Sequence, residues 1–199
     1  MVTREKTRES IVICISGMAG SGKSTVAKKI AEKYWLKYYS GGDALKALAI
    51  EKGYKPLNRG WWENKEGIRF LEKREKDSRF DLAIDKKLLK LAEQGNIVLD
   101  SWTMPWLMKK GFKIWLEAST EKRAERIAKR DKKSVKEALK VLKVKEEKTR
   151  TIYKKLYGFS LGRDFAPFNL ILDTDNLNAE EVFKVLCEVI DKIVIDSTT

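Results

Sequence analysis

Histidine is absent from this 199-residue chain. That removes imidazole from any account of its chemistry, both as general base and as metal ligand. Glutamine is nearly absent too, with Gln94 its single instance. Cysteine occurs twice, at Cys14 and Cys187, both within apolar segments. Such residues read as small core side chains in a reducing compartment, not as a disulfide framework. No apolar run approaches the ~20 residues of a membrane span. The first ten residues are polar and charged, so no secretory leader is expected and a cytoplasmic location is. No internal repeat or low-complexity linker divides the chain. Its length suits one domain, able to bury about 70% of its unfolded surface.

Acidic residues are in deficit. The 29 Asp and Glu stand against 42 Lys and Arg, a formal net charge of +13. Such a surplus suits an anionic partner, nucleotide or nucleic acid. A lysine- and glutamate-rich composition with so little glutamine also describes the solvated surface of a protein from a hot environment.

Against these absences stands one stretch, Gly17-Met18-Ala19-Gly20-Ser21-Gly22-Lys23-Ser24-Thr25. It fits G-x-x-x-x-G-K-[ST], the phosphate-binding P-loop. An apolar, β-branched run over 11–16 precedes it and reads as a buried parallel strand. Helical spacing follows it from Val26 to Tyr34. Glycines let the backbone wrap closely around an anion, with the amides of the loop and the helix start aimed at phosphates. Gly17 to Thr25 are therefore the candidate ATP-binding residues. Lys23 would reach the β- and γ-phosphates, and the Ser24 hydroxyl would ligate Mg²⁺.

Further strands are expected over 37–40, 96–100, 112–117 and 169–173. Helices are expected over 44–51, 63–73, 80–93, 120–130 and 178–193, with irregular chain over 52–64 and 159–167 and a loose tail over 196–199. Strands alternating with helices imply an α/β fold, a five-stranded parallel sheet with helices on both faces. Ser40 and Asp43 open a helix, as caps or as a seat for phosphate or ribose. Trp61 and Trp62 cannot both face one helical core, so one is a candidate to cover a ligand. Asp100 ends a buried strand, either as a turn former or as a second Mg²⁺-orienting acid. Trp102 and Trp106 follow it at the ligand-binding edge. Arg123, Arg126 and Arg130 share a helix face suited to phosphate. Residues 131–157 show only a thin apolar stripe, so the stretch 131–165 is a candidate lid.

With these features in view, the chain resembles the nucleoside monophosphate kinases, most of all the archaeal cytidylate kinases. The segments STVAKKIAEKY, YSGGDALKALA, EQGNIVLDS, FKIWLEASTEKRAERIAKRD, IYKKLYG and NLILDTDNL carry the resemblance, which spans roughly residues 9–193. It implies a single P-loop kinase domain over 1–199, with an acceptor-side helical region over 41–94. It implies transfer of the γ-phosphoryl of ATP, with Mg²⁺, to a nucleoside monophosphate, CMP or dCMP. Lys23, Arg126 and Arg130 would be catalytic. Ser40, Asp43, Lys46, Asp81 and Trp102 would line the acceptor site, Lys145 and Arg150 the lid, and Ser24 and Asp100 the metal site. A monomer acting on nucleotides is expected, with neither membrane nor, by preference, RNA as partner.

Three positions depart from the pattern. Trp102, Leu82 and Ile152 stand where the family commonly has arginine. Each lost arginine–phosphate contact is worth ~1.5–3 kcal/mol. A P-loop kinase for a nucleoside, another alcohol or an RNA end, or a kinase-like RNA-binding ATPase, is the alternative these departures leave open.

Overall fold

A computed structural model describes residues 10–55 and 60–195. The leader expectation, Pro56 of the expected loop and the tail beyond Ile195 lie outside the described residues. The order is β1 (Val12–Ser16), α1 (Lys23–Lys33), β2 (Lys37–Ser40), α2 (Gly41–Glu51), a 3-10 turn (Trp61–Glu63), α3 (Lys65–Lys76), α4 (Arg79–Gln94) and β3 (Ile97–Asp100). There follow α5 (Met104–Leu107), β4 (Phe112–Glu117), α6 (Thr120–Asp131), α7 (Val135–Tyr157), β5 (Leu170–Asp173) and α8 (Ala179–Ile190), the last running into a wider helical turn, Asp191–Ile195.

The strands form one five-stranded sheet in the order β2-β3-β1-β4-β5, and every pairing is parallel. Side chains alternate across it. Ile13, Ile15, Val98, Ile114 and Leu116 point to the layer holding Val26, Ile30, Val182, Leu186 and Ile190 of α1 and α8. Cys14, Ile97 and Leu99 point to the opposite layer, with Leu88 of α4 and Met104 of α5. Because both faces are covered, β1 and β3 are apolar on both, which is why their sequences run without polar alternation.

Local chemistry sets the helix ends. Ser40 Oγ accepts from the Asp43 amide at 3.1 Å, which starts α2 at Gly41, three residues before the expected start. Gly95, with φ of 70°, stops α4. The expected charged run over 131–157 breaks at Lys132, which takes φ of 55°, and restarts on a Ser134–Glu137 capping box.

The α7 segment is packed more fully than its thin stripe suggests. Ala138 and Leu142 meet Ala124, Ile127 and Ala128 of α6. Ile152 and Tyr153 meet Trp115, Phe159 and Leu161. The apolar surface comes from partners distant in sequence, so helical periodicity alone underestimates it. Among the described residues, no helix is long and apolar enough to cross a membrane.

Candidate active site

Ser40 and Asp100 end neighbouring strands in register, with Ile15 of β1 opposite Asp100. From β3 the chain crosses to β4 on the other side of β1. A crevice therefore opens at the carboxyl end of β1, where residues 17–22 form a loop. Gly17 has φ of 151°, and a Cβ there would lie 2.5 Å from the Leu116 carbonyl oxygen. Gly20 has φ of 85°, with the Arg123 carbonyl oxygen 2.8 Å from its notional Cβ. Neither position accepts a side chain without strain. No side chain caps the N-terminus of α1, so its first amides remain for an anion. Ser21 Oγ is buried in the loop with no hydrogen-bond partner among the described residues.

Two side chains brace this loop from behind. The Trp102 indole donates to the Gly17 carbonyl at 2.6 Å. Arg123 is buried, donates to the Ala19 carbonyl at 3.1 Å and to the Ala118 carbonyl at 3.0 Å, and pairs with Glu146 of α7. Arg123 thus leaves the phosphate-facing trio expected on α6, because its charge is held by a residue from another helix.

Lys23 is half-buried and makes no ion pair among the described residues. Its ammonium lies 5.4 Å from the Trp102 ring centroid. Burial lowers its pKa, and Lys145 and Arg130 push the same way against Asp100 and Glu63. Arg126 donates to Thr174 Oγ1 at 3.2 Å and to the Thr174 carbonyl at 2.5 Å, with the Ser21 carbonyl at 3.4 Å. It makes no ion pair among the described residues. Arg130 by contrast meets Glu63 at 2.8 Å and Asp131 at 2.7 Å, and Lys145 pairs with Glu63. Burial alone would push Glu63 up, but Lys145 and Arg130 outweigh it and hold its carboxyl down at about 2.

One cavity of about 610 Å³ joins these groups to the acceptor side. It takes in the loop from Ala19 to Thr25, Ser40, Asp43, Asp81, Asp100, Trp102, Arg126, Arg130 and Lys145. Lys46 and Arg150 lie outside its lining. Arg150 donates instead to the Leu161 carbonyl at 3.1 Å. The tryptophan pair divides: Trp61 is buried against Leu45, Ala49 and Phe70, whereas Trp62 lines the cavity. Trp106 stacks on Phe159 at 3.9 Å, outside the lining.

Arg74 and Asp85 are among the lining residues that escaped the sequence reading. Arg74 of α3 is buried, donates through Nε to Asp81 at 3.0 Å and reaches the Tyr153 hydroxyl at 3.2 Å. Its Nη1 has no partner among the described residues. Asp85 of α4 accepts from Thr103 Oγ1 and from the Tyr157 hydroxyl, each at 2.6 Å. Both residues sat in plain view as charges on the buried faces of amphipathic helices.

Burial pushes the Asp85 carboxyl up to about 6, against the hydrogen bonds from Thr103 and Tyr157. Folding thus tightens its hold on a proton, and its ionisation removes stability as pH climbs from about 4 to about 6. Glu63 works oppositely, contributing stability above about pH 4 that is lost as pH falls toward about 2. Asp85→Asn is therefore expected to flatten the decline between about pH 4 and 6 in thermal melts. A profile as steep as that of the unaltered protein would assign the titration to another group.

The donor set tests well for Mg²⁺. Ser24 offers an exposed hydroxyl and Asp100 a buried carboxylate that accepts from Tyr38 at 3.2 Å and lacks a salt-bridge partner among the described residues. Hard oxygen donors in small number suit an ion that keeps several waters and completes its shell with phosphates.

A parallel sheet with this strand order, a glycine loop at the end of its central strand and a basic cavity above it define a P-loop kinase fold. A shikimate kinase from Bacteroides thetaiotaomicron shares that fold, with a TM-score of 0.55 at 17% identity over 91% of this chain and 98% of that one. Residues 12–176 match the cytidylate kinase-like family, and the chain belongs to it. It is 34% identical to the cytidylate kinase of Pyrococcus horikoshii over 94% of this chain and 91% of that protein. It is 33% identical to the cytidylate kinase of Methanocaldococcus jannaschii over 92% of this chain and 99% of that one.

Proposed function

We propose that the protein transfers the γ-phosphoryl group of ATP to CMP or dCMP, as a cytoplasmic monomer. The observation that carries this is the single cavity in which an anion-binding loop, an unpaired Lys23 and the cations of α6 and α7 meet an aromatic-walled acceptor side. The names of its archaeal relatives point to the same acceptor.

The amides and Ser21 of residues 17–25 hold the triphosphate. Arg126, fixed by carbonyls of the loop and of the β5–α8 connection, closes the donor end. An acceptor phosphate oxygen attacks the γ-phosphorus, and the bond from that phosphorus to the bridging oxygen breaks as ADP leaves. Lys23, Arg126 and Arg130 balance charge on the transferring group. Ser24 and Asp100 would hold Mg²⁺, which neutralises phosphate charge when bound. Ser40 and Asp43 border the acceptor, with Lys46 further along α2, and Trp62, Trp102 and Tyr153 supply apolar walls. Arg74, clamped by Asp81 with Nη1 unengaged, takes the part of the arginine that Trp102 replaces. Residues 131–165 act as a lid carrying Lys145 and Arg150, whose closure excludes water that would otherwise hydrolyse ATP.

The test is ADP release from ATP and Mg²⁺ with CMP, UMP, AMP, cytidine or an RNA oligonucleotide as acceptor. CMP is expected to stimulate release most strongly. ATP binding without stimulation by CMP would refute the assignment.

A further inference from the structure

In the turn Trp61–Glu63, Glu63 has no part in the transfer described above, yet it grips the cavity's cations. Glu63 is buried, receiving Lys145 on Oε1 and Arg130 on Oε2, the second at 2.8 Å. Lys133 donates to its main-chain carbonyl at 3.1 Å. At the start of the turn, Gly60 lies so near α6 that a Cβ would come within 2.7 Å of the Asp131 carboxylate. Asp131 in turn accepts from Nε and Nη2 of Arg130, sharing Nη2 with Glu63. Lys145 has no other acceptor among the described residues, and its ammonium sits 5.8 Å from the rings of both Trp62 and Trp102. One turn on the acceptor side thus holds a cation from α6 and a cation from α7 with a single carboxylate.

A carboxylate spanning two cations presents two anionic oxygens, much as a phosphoryl group does. The two anions compete for the same donors, and in a partly desolvated cavity they repel each other. We propose that Glu63 is a positioning residue that holds Lys145 and Arg130 in the empty site, yields them to the phosphoryl oxygens of bound nucleotide, and takes them back to expel product. This rests on reading the cavity as a nucleotide site, but not on CMP as the acceptor.

Glu63→Gln keeps the shape and one acceptor oxygen while removing the charge. Inorganic tripolyphosphate, titrated calorimetrically into the full-length protein, is expected to bind this variant about tenfold more tightly than the unaltered protein. In turnover with CMP, KM for ATP should fall and kcat should fall with it, because product leaves more slowly. A merely structural Glu63 would not produce that paired fall. Unchanged or weaker tripolyphosphate binding by folded Glu63→Gln overturns the proposal. Should the variant not fold, hydrogen exchange on the unaltered protein decides. Saturating tripolyphosphate should speed exchange at the amides of residues 60–64, and unchanged or slower exchange there overturns the proposal. If CMP proves not to be the acceptor, the tripolyphosphate measurements still stand on their own.

Discussion

Lys23→Met is expected to fold normally and to lose about three orders of magnitude in phosphoryl transfer. The two halves of that expectation have one cause. Lys23 has no ion-pair partner among the described residues, and its pKa is lowered by burial and by the neighbouring Lys145 and Arg130. The protein therefore carries this charge at a loss of stability in the empty site. A preorganised cation facing a developing negative charge recovers that loss only when phosphates arrive. Removing it should leave the melting temperature unchanged or slightly raised while turnover collapses. ADP-release kinetics and thermal melts check both, and turnover near the original rate would take the phosphate loop out of the mechanism.

Asp81→Ala has the largest expected effect on stability. Arg74 and Asp81 form a buried pair, and the single change leaves a guanidinium with no carboxylate paired to it among the described residues, beside the Tyr153 hydroxyl and the Trp62 ring. Breaking such a pair from one side costs about 3–5 kcal/mol. For a chain of this size that lowers the melting temperature by about 10 °C. Replacing both partners, Arg74→Met with Asp81→Leu, is expected to restore most of the stability, because an apolar pair needs no compensation. It should not restore binding of the acceptor, whose KM is expected to rise in the double variant. A melting temperature for Asp81→Ala within about two degrees of the original would show that water reaches Arg74.

The strands and the loop were legible because their signals are local. Residues 11–16 are apolar and β-branched, the glycines and Lys23 keep fixed spacing, and Ser40 caps the helix it precedes. Arg74 was legible in principle, since it continues the buried stripe of Gly67, Phe70 and Leu71 on α3. Asp85 was likewise legible, one turn on from Asp81 and in line with Leu88. A charge on such a stripe marks either a pair or a site. Glu63 gave no such signal. It lies in a turn, and the side chain that buries it, Lys145, is 82 residues away. Arg123 shows the same limit: helical geometry sets it beside Arg126 and Arg130, but Glu146 on α7 decides where its charge is used.

The sheet order imposes a timetable on the making of this protein. Among the described strands β1 leaves the ribosome first, yet it pairs with residues 97–100 on one side and 112–115 on the other. Until those residues emerge, both edges of β1 stand open, and the loop that follows it has no Trp102 to brace Gly17 and no Arg123 to hold Ala19. Pairings of such long separation form late and slowly. A nascent chain stalled before Phe112 therefore carries the whole phosphate-binding motif and no phosphate-binding site.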